Sequence, residues 1–250
     1  EVEKTMNSLS IVIITLNEEK CIGRLLTDLS KQIHQVFEVI LVDSNSDDAT
    51  CEVALDYQDI LPDLTIHKMN ARGTSLGRNT GAVLAKYERI LFLDADVRLE
   101  PGFLANSLRH LDKRGLEVAG VYLGSSNSSI RYRLGCKAFN LGMFLTQFGF
   151  PTAVGACIFS SKRAHQHIDG FDENIALCED CDYVNRLSKT FRFRFIPMTF
   201  QFDTRRLEQD GLLSTGLIYL KANLRRFFCG EMQKNEIEYR FGHYENKKKS

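Results

Sequence analysis

The feature that most constrains the fold of this chain is the alternation, through its first half, of short apolar runs with segments of helical periodicity. The apolar runs cover residues 9–16, 37–42, 64–69, 90–93 and 118–123. Runs this short, stopped by polar or acidic residues, are typical of strands buried on both faces. Helices between successive strands favour a parallel sheet that is covered on both sides. We therefore predict an α/β fold with a mostly parallel sheet.

Acidic residues stand where several of these strands are predicted to end. Glu18, Asp43 and the pair Asp94 and Asp96 follow the first, second and fourth runs. Parallel sheets bind ligands at the carboxyl ends of their strands, where the strand order reverses. Because side chains alternate along an extended chain, Asp94 and Asp96 are expected on the same side. Their oxygens suit Mg²⁺ or Mn²⁺. The alternative is a solvated acidic turn at a strand end.

The composition narrows the class of protein. Equal numbers of basic and acidic residues, 32 of each, leave no overall charge to favour nucleic acid. The seven cysteines are an odd number, and without a signal peptide in residues 1–8 we expect free thiols in a reducing cytoplasm. Cys178 and Cys181 have the spacing of a redox or zinc half-site, but no second pair accompanies them. His165 and His167 lack a third ligand nearby, so we expect surface histidines.

The sequence also predicts local features. Asn17 is expected to cap the first helix, with Glu18 and Glu19 in its first turn. Asp47 or Asp48 is expected to cap the second helix, and Asn45 can adopt the left-handed conformation. In the second half we predict helices over 129–146 and 177–187, a strand over 154–160, and two short strands over 193–197 and 198–202.

Two segments raise the question of a membrane. Residues 138–161 carry no charge and are long enough by count to span a bilayer, but they include polar residues and glycines. We interpret them as a buried helix, a turn and a buried strand. Residues 212–228 form an amphipathic pattern with basic residues off the apolar face. Together the two segments could dock on a membrane surface; the alternative is that both belong to the core.

Five motifs, taken in order, resemble those of glycosyltransferase family 2, the inverting nucleotide-sugar enzymes of GT-A fold. The motifs are Thr15-Leu16-Asn17-Glu18-Glu19, the turn from Val42 to Thr50, Arg78-Asn79-Thr80-Gly81, Asp94-Ala95-Asp96, and Gly170-Phe171-Asp172-Glu173 followed by Glu179-Asp180-Cys181-Asp182. Each motif is weak alone, but five in order at normal spacing are a strong signal. The turn departs from the common form, because Ser44 and Asn45 replace a frequent Asp and Gly.

The resemblance covers roughly residues 8–205 and implies one GT-A-like catalytic domain with a Rossmann-like sheet. A nucleotide-sugar-binding half would span about 8–125, an acceptor and catalytic half about 126–205, and a helical C-terminal segment 206–250. The implied reaction moves a sugar from a nucleotide donor to a hydroxyl of a carbohydrate or lipid-linked acceptor. A UDP-sugar is the favoured donor, and a GDP-sugar is the alternative. Mg²⁺ or Mn²⁺ is the implied cofactor, and the cytoplasm or its membrane face the implied location.

The resemblance also assigns roles on the donor side. Asp43 would accept a hydrogen bond from uracil or guanine, while Thr15, Leu16 and Glu18 would line the base and ribose. Arg78 would approach the metal carboxylates or the sugar. Each role has an alternative. Asp43 would instead cap the end of its strand, and Arg78 would be a surface arginine. Thr15, Leu16 and Glu18 would simply be residues at the start of a helix.

The remaining implied roles concern the diphosphate and the acceptor. Asp94 and Asp96 would hold the cation, with Asp96 the more direct ligand. Arg205 and Arg206 would clamp the diphosphate, or else form a solvated basic patch. Asp180 would be the general base, with Glu179 or Asp182 in second place; otherwise these acids simply favour a helix N-terminus.

Two other functions compete with this one. A nucleotidyltransferase would need a glycine-rich phosphate loop after the first strand, and residues 15–18 contain no glycine. A non-catalytic nucleotide-sugar-binding module would tolerate loss of an acid, whereas Asp43, Asp94, Asp96 and Asp180 are all present. Release of free UDP or GDP during turnover separates the three functions.

Overall fold

The computed structural model describes residues 8–34, 36–125, 130–202, 225 and 232–233. The strands are β1 (Leu9–Thr15), β2 (Phe37–Asp43), β3 (Leu64–Lys68), β4 (Arg89–Asp94), β5 (Val97–Arg98), β6 (Val118–Leu123), β7 (Cys157–Ser161), β8 (Ile175–Leu177), β9 (Phe193–Phe202) and β10 (Met232–Gln233). The helices are α1 (Ile22–Ser30), α2 (Thr50–Leu55), α3 (Thr74–Leu84), α4 (Phe103–Arg114), α5 (Ile130–Thr146), α6 (Lys162–His167) and α7 (Glu179–Ser188). Arg205, Arg206 and the pattern over 212–228 lie outside the described residues, Arg225 excepted.

The main sheet has eight strands in the order β3-β2-β1-β4-β7-β6-β9-β5. Strands β1 to β4 pair in parallel, as do β6 and β9, whereas β7 runs antiparallel to both of its neighbours. The predicted α/β fold with a mostly parallel sheet is confirmed. The strand order reverses at β1, where Thr15 pairs with Asp43 and Ile14 pairs with Asp94. The carboxyl ends of β1, β2 and β4 therefore meet at one edge.

The sheet is buried on both faces because its central strands are apolar throughout. Every residue of β1 and β2 is buried. Ile11 and Ile13 belong to one hydrophobic cluster and Val12 to a second, as strand alternation requires. Helices cover both clusters, so burial of apolar surface on either side fixes the sheet.

Two of the predicted helix starts need correction. Asn17 does not cap α1, which begins at Ile22 after a turn, so Glu18 and Glu19 are not in its first turn. Asn17 itself has a left-handed backbone with φ of 57°, and its side-chain oxygen accepts a hydrogen bond from the Asp47 backbone. Asn17 therefore ties the first loop to the second. At the start of α2 the N-cap position is held by Ala49, so the prediction of Asp47 or Asp48 there is wrong, although Asp48 accepts the N–H of Thr50. Asn45 is left-handed as expected.

The prediction of two short strands over residues 193–202 is wrong, because β9 is a single strand of 10 residues. Its register against β6 changes from Val121 opposite Ile196 to Tyr122 opposite Thr199. Pro197 and Met198 fall in the resulting bulge. Proline has no N–H to give to a ladder, and a bulge is one of the few places in a sheet that accepts it.

The interpretation of residues 138–161 is correct for the strand and wrong for the helix. Strand β7 is fully buried. Helix α5, in contrast, exposes several large apolar side chains, including Leu141, Leu145 and Phe148 on and just beyond its last turns. Among the described residues, no helix is long and apolar enough to cross a membrane.

Candidate active site

The site is built around Arg78, whose position follows from the close packing of α3 on β1. A Cβ atom on Gly81 would overlap Cγ1 of Val12, and one on Gly77 would lie 3.0 Å from Cγ2 of Ile14. The two glycines therefore let the helix backbone approach the strand more closely than other residues would. This approach brings Arg78 to the edge where β1 and β4 end, with only 2% of its surface exposed.

The Arg78 guanidinium joins two parts of the chain that are far apart in sequence. Nη2 donates to Oδ1 of Asp94 at 2.9 Å, and Nη1 donates to Oε1 of Glu179 at 2.8 Å. Nη2 also lies 3.3 Å from the carbonyl oxygen of Gly155, and the Phe171 ring stands 5.2 Å away. Burial alone would lower the pKa of Arg78, but Asp94, Glu179 and Asp180 together raise it above its ordinary value. The buried positive charge therefore offsets a cluster of carboxylates.

Asp180 lies beside this ion-pair network, at the N-terminus of α7. Its Oδ2 accepts the N–H of Gly155 at 2.5 Å, and its Oδ1 accepts the N–H of Cys181 at 2.7 Å. Burial and then the charge of Glu179 raise the pKa of Asp180 to about 6, against the opposing effects of Arg78 and the two N–H groups. A carboxylate with such a pKa is ionised at neutral pH and is still able to accept a proton.

Gly155 is a site residue that sequence reasoning missed. A Cβ atom on it would lie 2.9 Å from both Nη2 of Arg78 and Cβ of Asp180. Only glycine leaves room for the backbone to contact the arginine and the aspartate together. Its position inside an uncharged run offered no signal, because the contact partners come from α3 and α7.

The other acids of α7 have partners of their own. Asp182 accepts a hydrogen bond from Nε of Arg186 at 2.7 Å, and a second arginine nitrogen lies 2.6 Å from the same oxygen. Glu179 is held by Arg78. Among the described residues, Asp180 is therefore the one of these three acids whose hydrogen bonds come from backbone N–H groups, whereas arginines hold the other two.

Asn79 fixes the turn at Gly170 and Phe171, which precedes β8 and α7. Its amide nitrogen donates to the Phe171 carbonyl at 2.9 Å, and its oxygen accepts the Phe171 N–H at 2.8 Å. Gly170 has φ of 74°, and a Cβ atom there would lie 2.5 Å from the Asn79 oxygen. Phe171 in turn stacks on Tyr183 of α7 with 3.8 Å between ring centroids. The Arg78-Asn79 pair thus connects α3 to both the acids and the turn of the acceptor-side motif.

The residues predicted to bind the nucleotide form the adjoining loops. Asp43 is fully buried, and its carboxylate accepts hydrogen bonds from Thr15 Oγ1 at 3.0 Å and the Ser46 N–H at 2.9 Å. The Glu18 N–H donates to Oγ1 of Thr50 at 2.8 Å, and Leu16 is buried. These contacts organise the loop after β2, so Asp43 acts as a cap at the end of this strand, which was the alternative role for it. Its contact with a base stays a prediction.

Ser44 is the residue of this turn with an unexplained polar atom. Its Oγ is buried and makes no hydrogen bond within the described part of the chain. Buried hydroxyls normally have a partner. The only sequence signal at this position is that Ser44 replaces the Asp that is frequent in the motif.

The acids predicted to hold a metal lie at the end of β4. Asp94 is the last residue of the strand, and Asp96 lies in the turn after it, so strand alternation does not decide the direction of its side chain. Across the residues that can be described, no group of three or more His, Cys, Asp or Glu could hold a metal. Two carboxylates nevertheless fit Mg²⁺, which usually takes one or two from the protein and the rest from phosphates and water.

The histidines and cysteines near α7 are structural. His165 is buried, so the expectation of a surface histidine is wrong for it, while His167 is exposed. Nδ1 of His165 lies 3.0 Å from the Tyr183 hydroxyl, and burial followed by the charge of Arg186 lowers its pKa to about 4. Cys178 and Cys181 are buried and form no disulfide, and within the described residues they belong to no group that could hold a metal.

Comparison with known proteins adds to this geometry. Residues 10–169 match the family model described as Glycosyl transferase family 2. The chain is similar to poly(ribitol-phosphate) beta-N-acetylglucosaminyltransferase TarS of Staphylococcus aureus strain Mu50, with 31% identity over 126 residues, 49% of this chain and 22% of that protein. It is also similar to the uncharacterized glycosyltransferase YwdF of Bacillus subtilis strain 168, with 26% identity over 202 residues, 76% of this chain and 71% of that protein. The match thus spans about a fifth of TarS.

Solved structures share the fold. Residues 1–349 of S. aureus TarS, in complex with UDP-GlcNAc, superpose with a TM-score of 0.62 and 20% identity, over 78% of this chain and 58% of that one. The mannosyltransferase PcManGT from Pyrobaculum calidifontis, in complex with GDP-Man and Mn²⁺, gives a TM-score of 0.68 and 18% identity, over 85% of this chain and 64% of that one. At these identities the likeness concerns the fold alone.

Proposed function

Because this chain belongs to glycosyl transferase family 2, we propose that it transfers a sugar from a nucleoside diphosphate donor to a hydroxyl group of an acceptor. The observation that carries the proposal is the contact of buried Arg78 with both Asp94 and Glu179. It brings the end of β4, where the donor diphosphate would lie, next to the N-terminus of α7 and to Asp180.

Asp180 is the proposed general base. Its carboxylate would take the proton of the acceptor hydroxyl as that oxygen attacks the anomeric carbon. The attack forms the new glycosidic bond and breaks the bond to the diphosphate, so the configuration inverts and no covalent enzyme intermediate is needed. A carboxylate with a pKa raised to about 6 suits this role. Glu179 and Asp182 suit it less, because Arg78 and Arg186 respectively hold them as ion pairs.

Asp94 and Asp96 are the proposed ligands of Mg²⁺ or Mn²⁺. When bound, such a cation supplies positive charge for the departing diphosphate. The bond from Arg78 to Oδ1 of Asp94 orients that carboxylate and limits which of its oxygens is available. The Mn²⁺ in the PcManGT complex supports the choice of a divalent cation. Arg205 and Arg206 remain proposed diphosphate ligands.

The proposed donor is a UDP-sugar, with a GDP-sugar as the alternative. TarS in complex with UDP-GlcNAc supports the first and PcManGT in complex with GDP-Man the second. Thr15, Leu16, Glu18 and Asp43 would form the nucleoside side of the site. The proposed acceptor is a hydroxyl of a carbohydrate or lipid-linked glycoconjugate.

The test is a panel of UDP- and GDP-sugars incubated with the chain, in which release of free UDP or GDP is measured. We expect release from at least one donor with Mg²⁺ or Mn²⁺ and loss of release in EDTA. The Asp180→Asn variant separates enzymatic release from contamination, because it keeps the donor side intact. Binding of donors without any release, equal in this variant and in the unchanged chain, would favour a non-catalytic binding module instead.

A further inference from the structure

A stripe of exposed apolar side chains, interrupted by Lys137, lies along the outer face of α5 and the turn after it. Leu141, Leu145 and Phe148 are 58%, 62% and 63% exposed. The exposed apolar side chains are those of Ile130, Leu134, Leu141, Phe144, Leu145 and Phe148. Spacings of three, four and seven residues put them on one face of the helix. From Leu134 to Phe148 the stripe is about 21 Å long, at 1.5 Å per residue. Exposed apolar patches of this extent mark surfaces that bind other molecules.

The opposite face fixes the orientation of the helix. Cys136 and Met143 are buried against the protein. The Asn140 amide donates to the Leu123 carbonyl at 2.9 Å and accepts the Leu123 N–H at 3.0 Å. Because this pair satisfies the backbone at the end of β6, rolling α5 to bury its stripe would break two hydrogen bonds. The stripe therefore faces outward in the folded chain.

The charged residues within α5 are all basic. Arg133 and Lys137 are exposed on the same helix, and residues 130–149 contain no Asp or Glu. The Arg194 guanidinium lies 4.7 Å from the centroid of the Phe148 ring. Long basic side chains beside apolar ones can extend to headgroup level while the apolar groups enter the acyl region. This combination matches an anionic membrane surface.

The stripe also lies close to the site along the chain. The loop after α5 leads to Gly155, whose N–H donates to Asp180. Helix α5 packs against the end of β6, which runs parallel to β9. A surface bound through α5 would thus be connected to the acceptor side by one short, partly buried loop.

We propose that the outer face of α5 docks the protein on a lipid bilayer that contains anionic headgroups. In the proposed docking α5 lies in the plane of the headgroups with its apolar face toward the acyl chains. A second copy of the chain is the less favoured occupant, because self-association would bring the basic groups of two copies together, whereas anionic lipid neutralises them. This inference concerns the surface of α5 and does not depend on the proposed sugar transfer.

The experiment is cosedimentation of the whole chain with phosphatidylglycerol–phosphatidylcholine vesicles and with pure phosphatidylcholine vesicles, at low and high salt. We expect binding to the anionic vesicles that weakens with salt. Leu141→Glu with Leu145→Glu should lower the binding at least roughly tenfold, because it places charge on the apolar face. Arg133→Gln with Lys137→Gln should lower it about 25-fold, at roughly fivefold for each basic residue.

The matched control is Leu55→Glu with Ile60→Glu, which changes two apolar residues of similar exposure away from α5. It should bind vesicles like the unchanged chain.

Failure of the unchanged chain to bind anionic vesicles at low salt overturns the proposal, as does equal binding by the α5 variant and the control. A dimer in sedimentation velocity that the α5 variant alone dissociates, without vesicle binding, assigns the face to a second copy. A much lower Tm for the α5 variant than for the control would mean that other residues of this chain cover the outer face of α5, and it would overturn the proposal. UDP binding by each variant reports separately on the proposed function.

Discussion

Replacement of Asp180 by asparagine tests the catalytic proposal most directly. Asparagine keeps the shape of the side chain but cannot accept the acceptor's proton. Loss of a general base lowers turnover by roughly 10²–10⁴-fold, which corresponds to about 2.7–5.5 kcal/mol of transition-state stabilisation. Donor affinity should change little, because Asp43, Asp94 and Asp96 are intact.

The structure also predicts a cost to folding for this variant. Two N–H groups, of Gly155 and Cys181, donate to the two oxygens of Asp180. Asparagine offers one oxygen, so one of these donors faces an amide NH₂ group and loses its acceptor. An unsatisfied buried donor costs about 1–3 kcal/mol. The Tm should therefore fall moderately while UDP binding, measured by calorimetry, persists.

The dependence of kcat/KM on pH gives a second measure. The active form of Asp180 is ionised, and its pKa is raised to about 6. The rate should therefore be nearly constant above pH 7 and fall about tenfold for each pH unit below 5. In Asp180→Asn this acidic limb should disappear from whatever activity remains.

The matched comparison is Asp182→Asn, an acid two residues away whose carboxylate is paired with Arg186. It should keep most of the transfer activity, although its stability falls with loss of the ion pair. The assignment is refuted if Asp180→Asn transfers sugar at a near-normal rate while Glu179→Gln or Asp182→Asn does not. Activity in all three variants would put the base elsewhere in the chain.

Three further outcomes are expected. Mg²⁺ or Mn²⁺ should strengthen UDP binding in calorimetry, and Asp96→Ala should remove that gain; equal affinity in EDTA contradicts a metal site. In side-by-side titrations UDP should bind more tightly than GDP, and the reverse order would assign a guanosine donor. Gly81→Ala should lower the free energy of unfolding by about 1–3 kcal/mol, because its Cβ would overlap Val12. Gly142→Ala, with nothing within 4 Å, is its control in the same denaturant titration and should not destabilise.

Much of the fold could be predicted from local patterns. The runs that became β1, β2 and β4 are apolar and end in polar residues, and a strand buried on both faces admits few other patterns. The order of the motifs indicated the family, since each motif keeps its place relative to a strand end. The left-handed residue Asn45 was also predictable from its type.

Local patterns were misleading where distant residues compete for the same groups. Asn17 has the chemistry of a helix cap, but its side chain bonds to the loop after β2, and α1 begins later. His165 looked like a surface histidine because nothing in its neighbourhood shows that Tyr183 lies against it. The uncharged second half of α5, residues 138–146, was expected in the core, and only the packing of Asn140 on β6 shows which face points outward.

The sequence by itself determined the α/β fold, the family and the acids at the strand ends, because periodicity and motif order are properties of neighbouring residues. Tertiary structure alone decided that Arg78 joins Asp94 to Glu179, residues that lie 16 and 101 positions away along the chain. It also decided that Gly155 contacts Asp180 and that the Asp43 side chain is fully buried. Such contacts arise when α3 and α7 pack on the same sheet edge. Because these groups are buried, the pKa and the stability of each charge depend on its partners, and no local sequence pattern identifies those partners.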